Sequence, residues 1–431
     1  MWTQDGPNNS AIGREHEPEV QMSGSKKRTF TPHPSHNFQC SCGTDDCRDV
    51  SHQGRGYQCC KCQRSESDRQ TQKPCGVTIP ITAFDITQNP PTPSKHPKQV
   101  VILMRHGDRT PVRERFGDLD VSNMASAWTS LLPSKLEQAE MDSVRVEREE
   151  GEGYNNYSSF VGEGHLGQLT SLGYRQCRGA GHELRRRYPG AQIRAFSTDF
   201  QRTIQSASCV LLGFAPTETP VVHVPAPKNQ TMLPNYDGSC KRYGQLRASL
   251  LEEAYGGALR HLRQEVQEML TPLMGKQPMK EVLDFTPFCV HQDVVGAVPG
   301  IDWDLVQSVE KYKASLEGAV YANCELLRLA AGRLVQEVMD YLSNPGHQIT
   351  LLAAHDNMMT AFLVALKIYK EQWPLYASMV LLETAEMGEE THVRVLMNDE
   401  VCLEWQPLEE LHARVSGAVL SSAAYAAVCS S

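Results

Sequence analysis

A basic cluster follows a short apolar run near the end of the first hundred residues. Residues 100–104 read Val-Val-Ile-Leu-Met, and Arg105, His106 and Arg109 come shortly after them. A run of this length between polar residues predicts a buried parallel strand. Ligands of open α/β sheets bind beyond the carboxyl ends of such strands. Two guanidiniums and an imidazole at that place suit a tetrahedral oxyanion such as phosphate, because arginine offers paired donors and a permanent charge.

Two later junctions between a strand and a helix repeat this design. Residues 349–354 predict a second buried strand, and His355 and Asp356 follow it before an apolar helix. A short strand over 191–196 precedes a helix over about 200–213, with Arg202 in the first turn of that helix. A cation there opposes the helix dipole. Its presence favours an anion bound against the same N-terminus.

The six side chains at these junctions form a set with complementary chemistry. In a doubly wound sheet the junctions converge on one crevice. His106 can attack phosphorus and form a phosphohistidine, while the arginines and His355 neutralise the equatorial oxygens. Asp356 can protonate the leaving alkoxide if it starts protonated. We therefore expect activity that is highest in acid, with no metal ion, no other cofactor and no inhibition by EDTA.

The rest of the pattern predicts an α/β fold. We expect a doubly wound, mostly parallel sheet flanked by helices, with an inserted helical cap in which apolar residues recur at helical spacing. The other predicted elements are a helix over about 171–188 capped by Thr170, a strand over 221–224, an edge hairpin of 378–384 and 391–397, and a C-terminal helix near 407–420.

The 431 residues are enough for more than one structural part. We expect a disordered, cysteine-rich extension over 1–96, which ends in a proline-rich linker, and a catalytic domain over 97–431. The domain divides into an α/β core (97–225 and 346–431) and the helical cap (226–345). Zinc binding and a disulfide knot are the alternatives to disorder in the extension. Its seven cysteines are Cys40, Cys42, Cys47, Cys59, Cys60, Cys62 and Cys75.

Charge and hydropathy exclude several classes of partner. The net charge of −9 argues against general binding of nucleic acid, so the substrate is expected to be a small phosphomonoester. No window holds the roughly 18 uninterrupted apolar residues of a membrane span. The N-terminus has neither the layout of a signal peptide nor that of a clear presequence. A cytoplasmic or mitochondrial location is therefore expected.

The chain resembles the histidine acid phosphatases, the acid phosphatase branch of the histidine phosphatase superfamily. The resemblance implies a phosphoglycerate mutase-like fold, with His106 as nucleophile and Asp356 as the acid. It also implies that Arg105, Arg109, Arg202 and His355 bind phosphate. The matching pieces are Arg105-His106-Gly107-Asp108-Arg109-Thr110-Pro111, Gly167-Gln168-Leu169-Thr170 with Gly173, Arg202-Thr203 and His355-Asp356.

Within that family the chain is most similar to lysophosphatidic acid phosphatases, which implies hydrolysis of lysophosphatidic acid to monoacylglycerol and phosphate. Two other functions stay open. One is an inositol polyphosphate or sugar phosphate phosphatase on the same fold. The other is a non-catalytic interaction protein that uses a Cys/His zinc-binding segment. The pieces that carry the closer similarity are Leu233-Pro234-Asn235-Tyr236 with Cys240, Ala353-Ala354-His355-Asp356, Trp373-Pro374, and the tail around Pro407-Leu408 and from Tyr425 to Cys429.

Overall fold

The structure is a computed structural model. It describes residues 97–430 apart from 113, 117, 151–163, 216–219, 236–237, 239, 277–299 and 345–347. The predicted extension 1–96, with its cysteine cluster and linker, lies outside the described residues, and so does part of the predicted cap.

A mixed eight-stranded sheet forms the centre of the described chain. Its strand order is β10-β9-β8-β1-β7-β5-β6-β4, and a separate ribbon pairs β2 with β3. Strands β1, β7, β5, β6 and β4 run parallel to one another. Strand β8 pairs antiparallel with β1, and β9 and β10 each pair antiparallel with the strand before them. The strands are β1 Gln99–Arg105, β2 Arg115–Phe116, β3 Leu119–Asp120, β4 Arg145–Arg148, β5 Ile193–Ser197, β6 Val221–Val224, β7 Ile349–Ala354, β8 Met379–Met387, β9 Glu390–Met397 and β10 Glu400–Pro407.

Helices cover both faces of this sheet, as predicted for a doubly wound fold. Alternate side chains of a strand point to opposite faces. Val101 and Leu103 therefore join one apolar core with α7, α8 and α9, and Ile102 joins the other with α3 and α4. The helices are α1 Ala125–Ser130, α2 Lys135–Asp142, α3 Ser171–Arg187, α4 Gln201–Phe214, α5 Lys241–Gly256, α6 Arg260–Met274, α7 Trp303–Tyr321, α8 Cys324–Ser343, α9 Asp356–Ala365, α10 Leu408–Val415 and α11 Ser422–Cys429.

The two central strands are the ones that carry the basic cluster and the His-Asp pair. Every residue of β1 and β7 is buried. The strands run parallel and in register, so that Arg105 lies opposite Ala354. Their carboxyl ends therefore meet, and the residues that follow each strand start from adjacent points of the sheet.

Both edges of the sheet differ from the sequence prediction. β4 lies inside 112–164, where the polar sequence predicts only a long excursion. Three of its four residues are charged and none is fully buried, so no apolar run marks it. β10 was also not predicted, because it is a half-buried strand with two register shifts. A short, charged edge strand such as β4 and an irregular one such as β10 both protect a sheet from further pairing.

The C-terminal region also departs from the prediction. The helix expected near 407–420 is present as α10, but it ends at Val415, and a second helix, α11, which was not predicted, begins at Ser422. A disulfide joins Cys240, before α5, to Cys429 at the end of α11, across 189 residues. Such a long closed loop is the kind of link that stabilises a fold most in the chain-entropy account. No helix in the described ranges is long and apolar enough to cross a membrane.

Candidate active site

The ends of β1 and β7 place the two predicted histidines side by side. The backbone N–H of His106 donates to the carbonyl of Ala354 at 3.1 Å, which extends the strand pairing by one residue. The centroids of the His106 and His355 rings lie 5.5 Å apart, with the ring planes at 73°. Residues that lie 249 positions apart in sequence therefore share one pocket.

The imidazole of His106 is held in the form that a nucleophile requires. Its Nδ1 lies 2.8 Å from the carbonyl oxygen of Gly107, and because a carbonyl only accepts, Nδ1 carries the proton. The lone pair then resides on Nε2. Burial, with added repulsion from Arg202, Arg105 and Arg109, lowers the pKa of His106 well below its ordinary value. Both effects favour the neutral ring, which is the nucleophilic form.

Two glycines allow the loop after β1 to press against the start of α3. A Cβ on Gly107 would lie 2.7 Å from the carbonyl oxygen of Gly173, and a Cβ on Gly173 would lie 2.3 Å from that of Asp108. Thr170 fastens this contact. Its hydroxyl accepts from the Gly173 N–H at 3.0 Å, which is the predicted helix cap, and donates to Asp108 Oδ2 at 2.6 Å. The close packing fixes the backbone that carries His106.

The arginines present donors that the described protein atoms leave unused. The Nε atoms of Arg105, Arg109 and Arg202 are buried and have no hydrogen-bond partner in the described residues. Burial and the nearby Arg109 lower the pKa of Arg202 to about 9. Unsatisfied buried donors and crowded positive charges are both costly. An anion bound among them removes both costs. This agrees with the anion that the position of Arg202 in the first turn of α4 predicts.

Asp356 is already paired in this pocket. Its Oδ2 lies 2.8 Å from Arg105 Nη2. Burial raises the pKa of Asp356, but Arg105 and Lys313 outweigh burial and hold the pKa well below its usual range. The prediction that Asp356 starts protonated is therefore wrong for the ligand-free pocket, because the sequence does not show how close the cations lie.

His355 is oriented by contacts that motif analysis did not identify. Its Nε2 lies 3.0 Å from the hydroxyl of Thr198, and the Phe200 ring meets it edge-on at 5.0 Å. Burial, reinforced by Arg202, lowers the pKa of His355 well below its ordinary value. Thr198 and Phe200 lie between β5 and α4, so the turn that precedes Arg202 also orients the second histidine.

Lys313 is a further charged residue of the pocket that sequence reasoning missed. It lies on α7 and is only 2% exposed, with Nζ 4.1 Å from the centroid of the Trp373 ring. Burial, opposed by attraction to Asp356, lowers its pKa to about 8. A signal was present, because Lys313 falls on the apolar stripe of α7 between Val309 and Leu316. A lysine on the buried face of a helix marks a charge with a local purpose.

Tyr376 is one more residue of the pocket that the sequence did not predict. The ring of Tyr376 lies 3.9 Å from Arg105 Cζ and 5.5 Å from the His106 ring. Arg105 Nη1 donates to the carbonyl of Pro374 at 2.5 Å. All six predicted site residues thus lie in one pocket, and α7 and the segment 373–376 complete its wall.

Comparison with known families agrees with this arrangement. The sequence model of the histidine phosphatase superfamily, branch 2, matches residues 98–292. The chain is 25% identical over 335 residues to a probable acid phosphatase of Schizosaccharomyces pombe, which covers 67% of this chain and 72% of the relative. It is 23% identical over 366 residues to prostatic acid phosphatase of Bos taurus, which covers 73% and 80% of the two chains.

The chain is similar to the histidine acid phosphatases over most of its described residues. This similarity agrees with the resemblance carried by the motifs, and it supports hydrolysis of phosphomonoesters as the activity. Solved structures confirm the fold. The phytase of Citrobacter braakii matches with a TM-score of 0.52 at 14% identity, over 77% of this chain and 100% of the phytase. The Klebsiella sp. ASR1 phytase matches with a TM-score of 0.53 at 12% identity, over 78% and 98%.

Proposed function

We propose that His106 carries the phosphoryl group during catalysis. Nε2 attacks phosphorus, the new N–P bond replaces the bond to the leaving oxygen, and water then cleaves the phosphohistidine. The observation that supports this most directly is one imidazole with its lone pair on Nε2 beside three arginines whose buried Nε atoms lack partners. Arg105, Arg109, Arg202 and His355 bind the equatorial oxygens and stabilise the charge that develops on them.

Asp356 moves the proton in this proposal, although it starts ionised. A phosphomonoester monoanion brings its own acidic proton into the pocket, and its charge offsets the cations that keep Asp356 ionised. Asp356 then passes a proton to the leaving oxygen and later accepts one from the attacking water. Because the monoanion predominates in acid, the expected acid optimum remains.

We propose lysophosphatidic acid as the substrate class, with one phosphate on an alcohol that bears an acyl chain. Two aromatic rings line the wall near Asp356: Trp373 lies against Lys313 and Tyr376 covers Arg105, the two cations that hold Asp356 ionised. Aromatic surface favours an uncharged alcohol over one that carries further phosphate groups, because those groups would lose hydration against it. The described pocket therefore suits a single phosphate on an otherwise uncharged alcohol.

A phosphate-release assay tests this proposal. Lysophosphatidic acid, inositol hexakisphosphate and an aryl phosphate are compared in acid, with and without EDTA. We expect release from lysophosphatidic acid and the aryl ester, unchanged by EDTA. Faster release from inositol hexakisphosphate would favour the inositol polyphosphate alternative, and a requirement for added Mg²⁺ would contradict the arginine-based mechanism.

The domain boundaries and the compartment also remain proposals. We propose a core of 97–225 and 346–431 with the cap 226–345. The cytoplasm or a mitochondrion remains the prediction from the sequence. The Cys240–Cys429 disulfide supports an oxidising compartment instead of the cytosol, which keeps thiols reduced. Cell fractionation followed by thiol labelling of these two cysteines distinguishes the two environments.

A further inference from the structure

A short loop on the wall of the pocket is held in place by contacts with Arg105 and His106. We call residues 373–377 the rim loop. The Pro374 carbonyl accepts from Arg105, and the Tyr376 ring covers the same guanidinium. The N–H of Ala377 donates to the carbonyl of His106 at 3.0 Å. Ala377 has φ +57°, a left-handed conformation that a non-glycine residue adopts only when its surroundings enforce it. The rim loop therefore has a fixed position relative to the nucleophile.

Arg105 shows on which side of the pocket the rim loop lies. One nitrogen of its guanidinium, Nη1, donates to Pro374, and the other, Nη2, pairs with Asp356. Displacement at phosphorus is in line, so the leaving oxygen departs on the side opposite His106. In the proposed function that oxygen meets Asp356. The Arg105 guanidinium therefore lies between the rim loop and Asp356, which meets the leaving group. Lys313 also links these two, because its Nζ lies over the Trp373 ring of the rim loop and its charge acts on Asp356.

Leu375 is the outward-facing member of this loop. Its side chain is 44% exposed, whereas Trp373 and Tyr376 on either side are 9% and 3% exposed. Among the described residues, the large hydrophobic side chains that are exposed are Leu375 and Leu136. Apolar surface held in water is unfavourable, and covering it with a hydrocarbon chain recovers that free energy.

We infer that Leu375 is a specificity-determining residue, which contacts a hydrocarbon chain on the leaving alcohol of the substrate. The inference rests on the proposed function, because the leaving-group side is defined by in-line attack from His106. It predicts a preference for phosphomonoesters of chain-bearing alcohols over those of small or highly charged alcohols.

The test measures kcat/KM for lysophosphatidic acids of short, medium and long acyl chain, each below its micellar concentration. The variants are Leu375→Ser and Leu136→Ser, which remove the same side chain at the rim and on α2. In the unsubstituted enzyme kcat/KM should rise with chain length. Leu375→Ser should lower it for the long chain by about three- to tenfold, the effect of losing part of one apolar contact. It should leave the short chain unchanged, and Leu136→Ser should change neither.

Other results overturn the inference in ways that can be told apart. Activity without any dependence on chain length refutes the contact at Leu375 and leaves the phosphatase mechanism standing. If Leu375→Ser lowers kcat/KM equally for all chain lengths, Leu375 has a structural role and does not determine specificity. Leu375→Met keeps an apolar side chain, so this variant should retain the preference for long chains. Absence of phosphate release from every ester by the unsubstituted enzyme refutes the proposed function and the contact together.

Discussion

Replacing the buried Lys313 with methionine should stabilise the fold while harming the active site. The side chain is 2% exposed, and its pKa falls from 10.5 to about 8. The depressed pKa means that the folded state holds the Lys313 proton less tightly than the unfolded chain does. The charge therefore destabilises the fold, fully below about pH 8 and progressively less as the pH rises to the unfolded pKa near 10.5.

The size of this effect follows from the shift. One pKa unit corresponds to about 1.4 kcal/mol, so a shift from 10.5 to about 8 amounts to roughly 3 kcal/mol in acid. Methionine keeps an unbranched stem of similar volume and carries no charge, which limits losses from packing. We therefore expect Lys313→Met to raise the free energy of unfolding by roughly 3 kcal/mol in mild acid, and by much less above the unfolded pKa.

Urea unfolding of Lys313→Met across this pH range measures the effect directly. Lys311→Met is the matched control, because Lys311 lies on the same helix with an exposed side chain and should change stability little. Since Lys313 is one of the cations that hold Asp356 ionised, phosphatase activity should fall in the stabilised variant and its acid limb should move to higher pH. A variant that is less stable than the parent in acid, or equally shifted at every pH, would refute the reasoning.

Three further substitutions test separate parts of the site. Asp356→Asn should slow release from alkyl phosphates by about 10²- to 10⁴-fold, and an aryl phosphate with a good leaving group should lose much less; equal losses would contradict a role in protonation. Arg202→Ala should weaken inhibition by inorganic phosphate and lower kcat/KM by at least about 100-fold, the scale for losing one stabilising donor, whereas unchanged inhibition would place Arg202 outside the phosphate site. Gly107→Ala should lower the free energy of unfolding by about 1–3 kcal/mol, the cost of overpacking, because its Cβ would meet Gly173 at 2.7 Å; Gly244→Ala on α5 meets nothing within 4 Å and should be neutral or slightly stabilising, so equal effects in thermal melts would refute the close-approach explanation.

The sequence predicted the central strands and their flanking helices because apolar runs and helix caps are local patterns. The apolar runs of β1 and β7 are buried throughout and end at the residues that carry charge. Thr170 caps α3 as expected, and Arg202 occupies the first turn of α4, where its unfavourable position predicted an anion. Each of these features depends on residues that lie only a few positions apart, so a single sequence is enough to predict it.

The features that the sequence missed depend on contacts between distant segments. Lys313 and Tyr376 enter the pocket only because α7 packs against α9 and the rim loop is held by Arg105 and His106. The ionised state of Asp356 depends on the 2.8 Å pair with Arg105, a distance that no motif encodes. Cys240 and Cys429 lie 189 residues apart, and many pairings among 14 cysteines are compatible with the sequence.

Detection of the phosphorylated enzyme is the most decisive measurement. A rapid acid-free quench during turnover of an aryl phosphate, followed by mass spectrometry of the peptide that contains His106, should find one phosphoryl group on that histidine. The group should be labile in acid and absent from His106→Ala, which should also release no phosphate. A turning-over enzyme without phosphate on His106, or a His106→Ala variant that retains activity, would contradict nucleophilic catalysis by this residue.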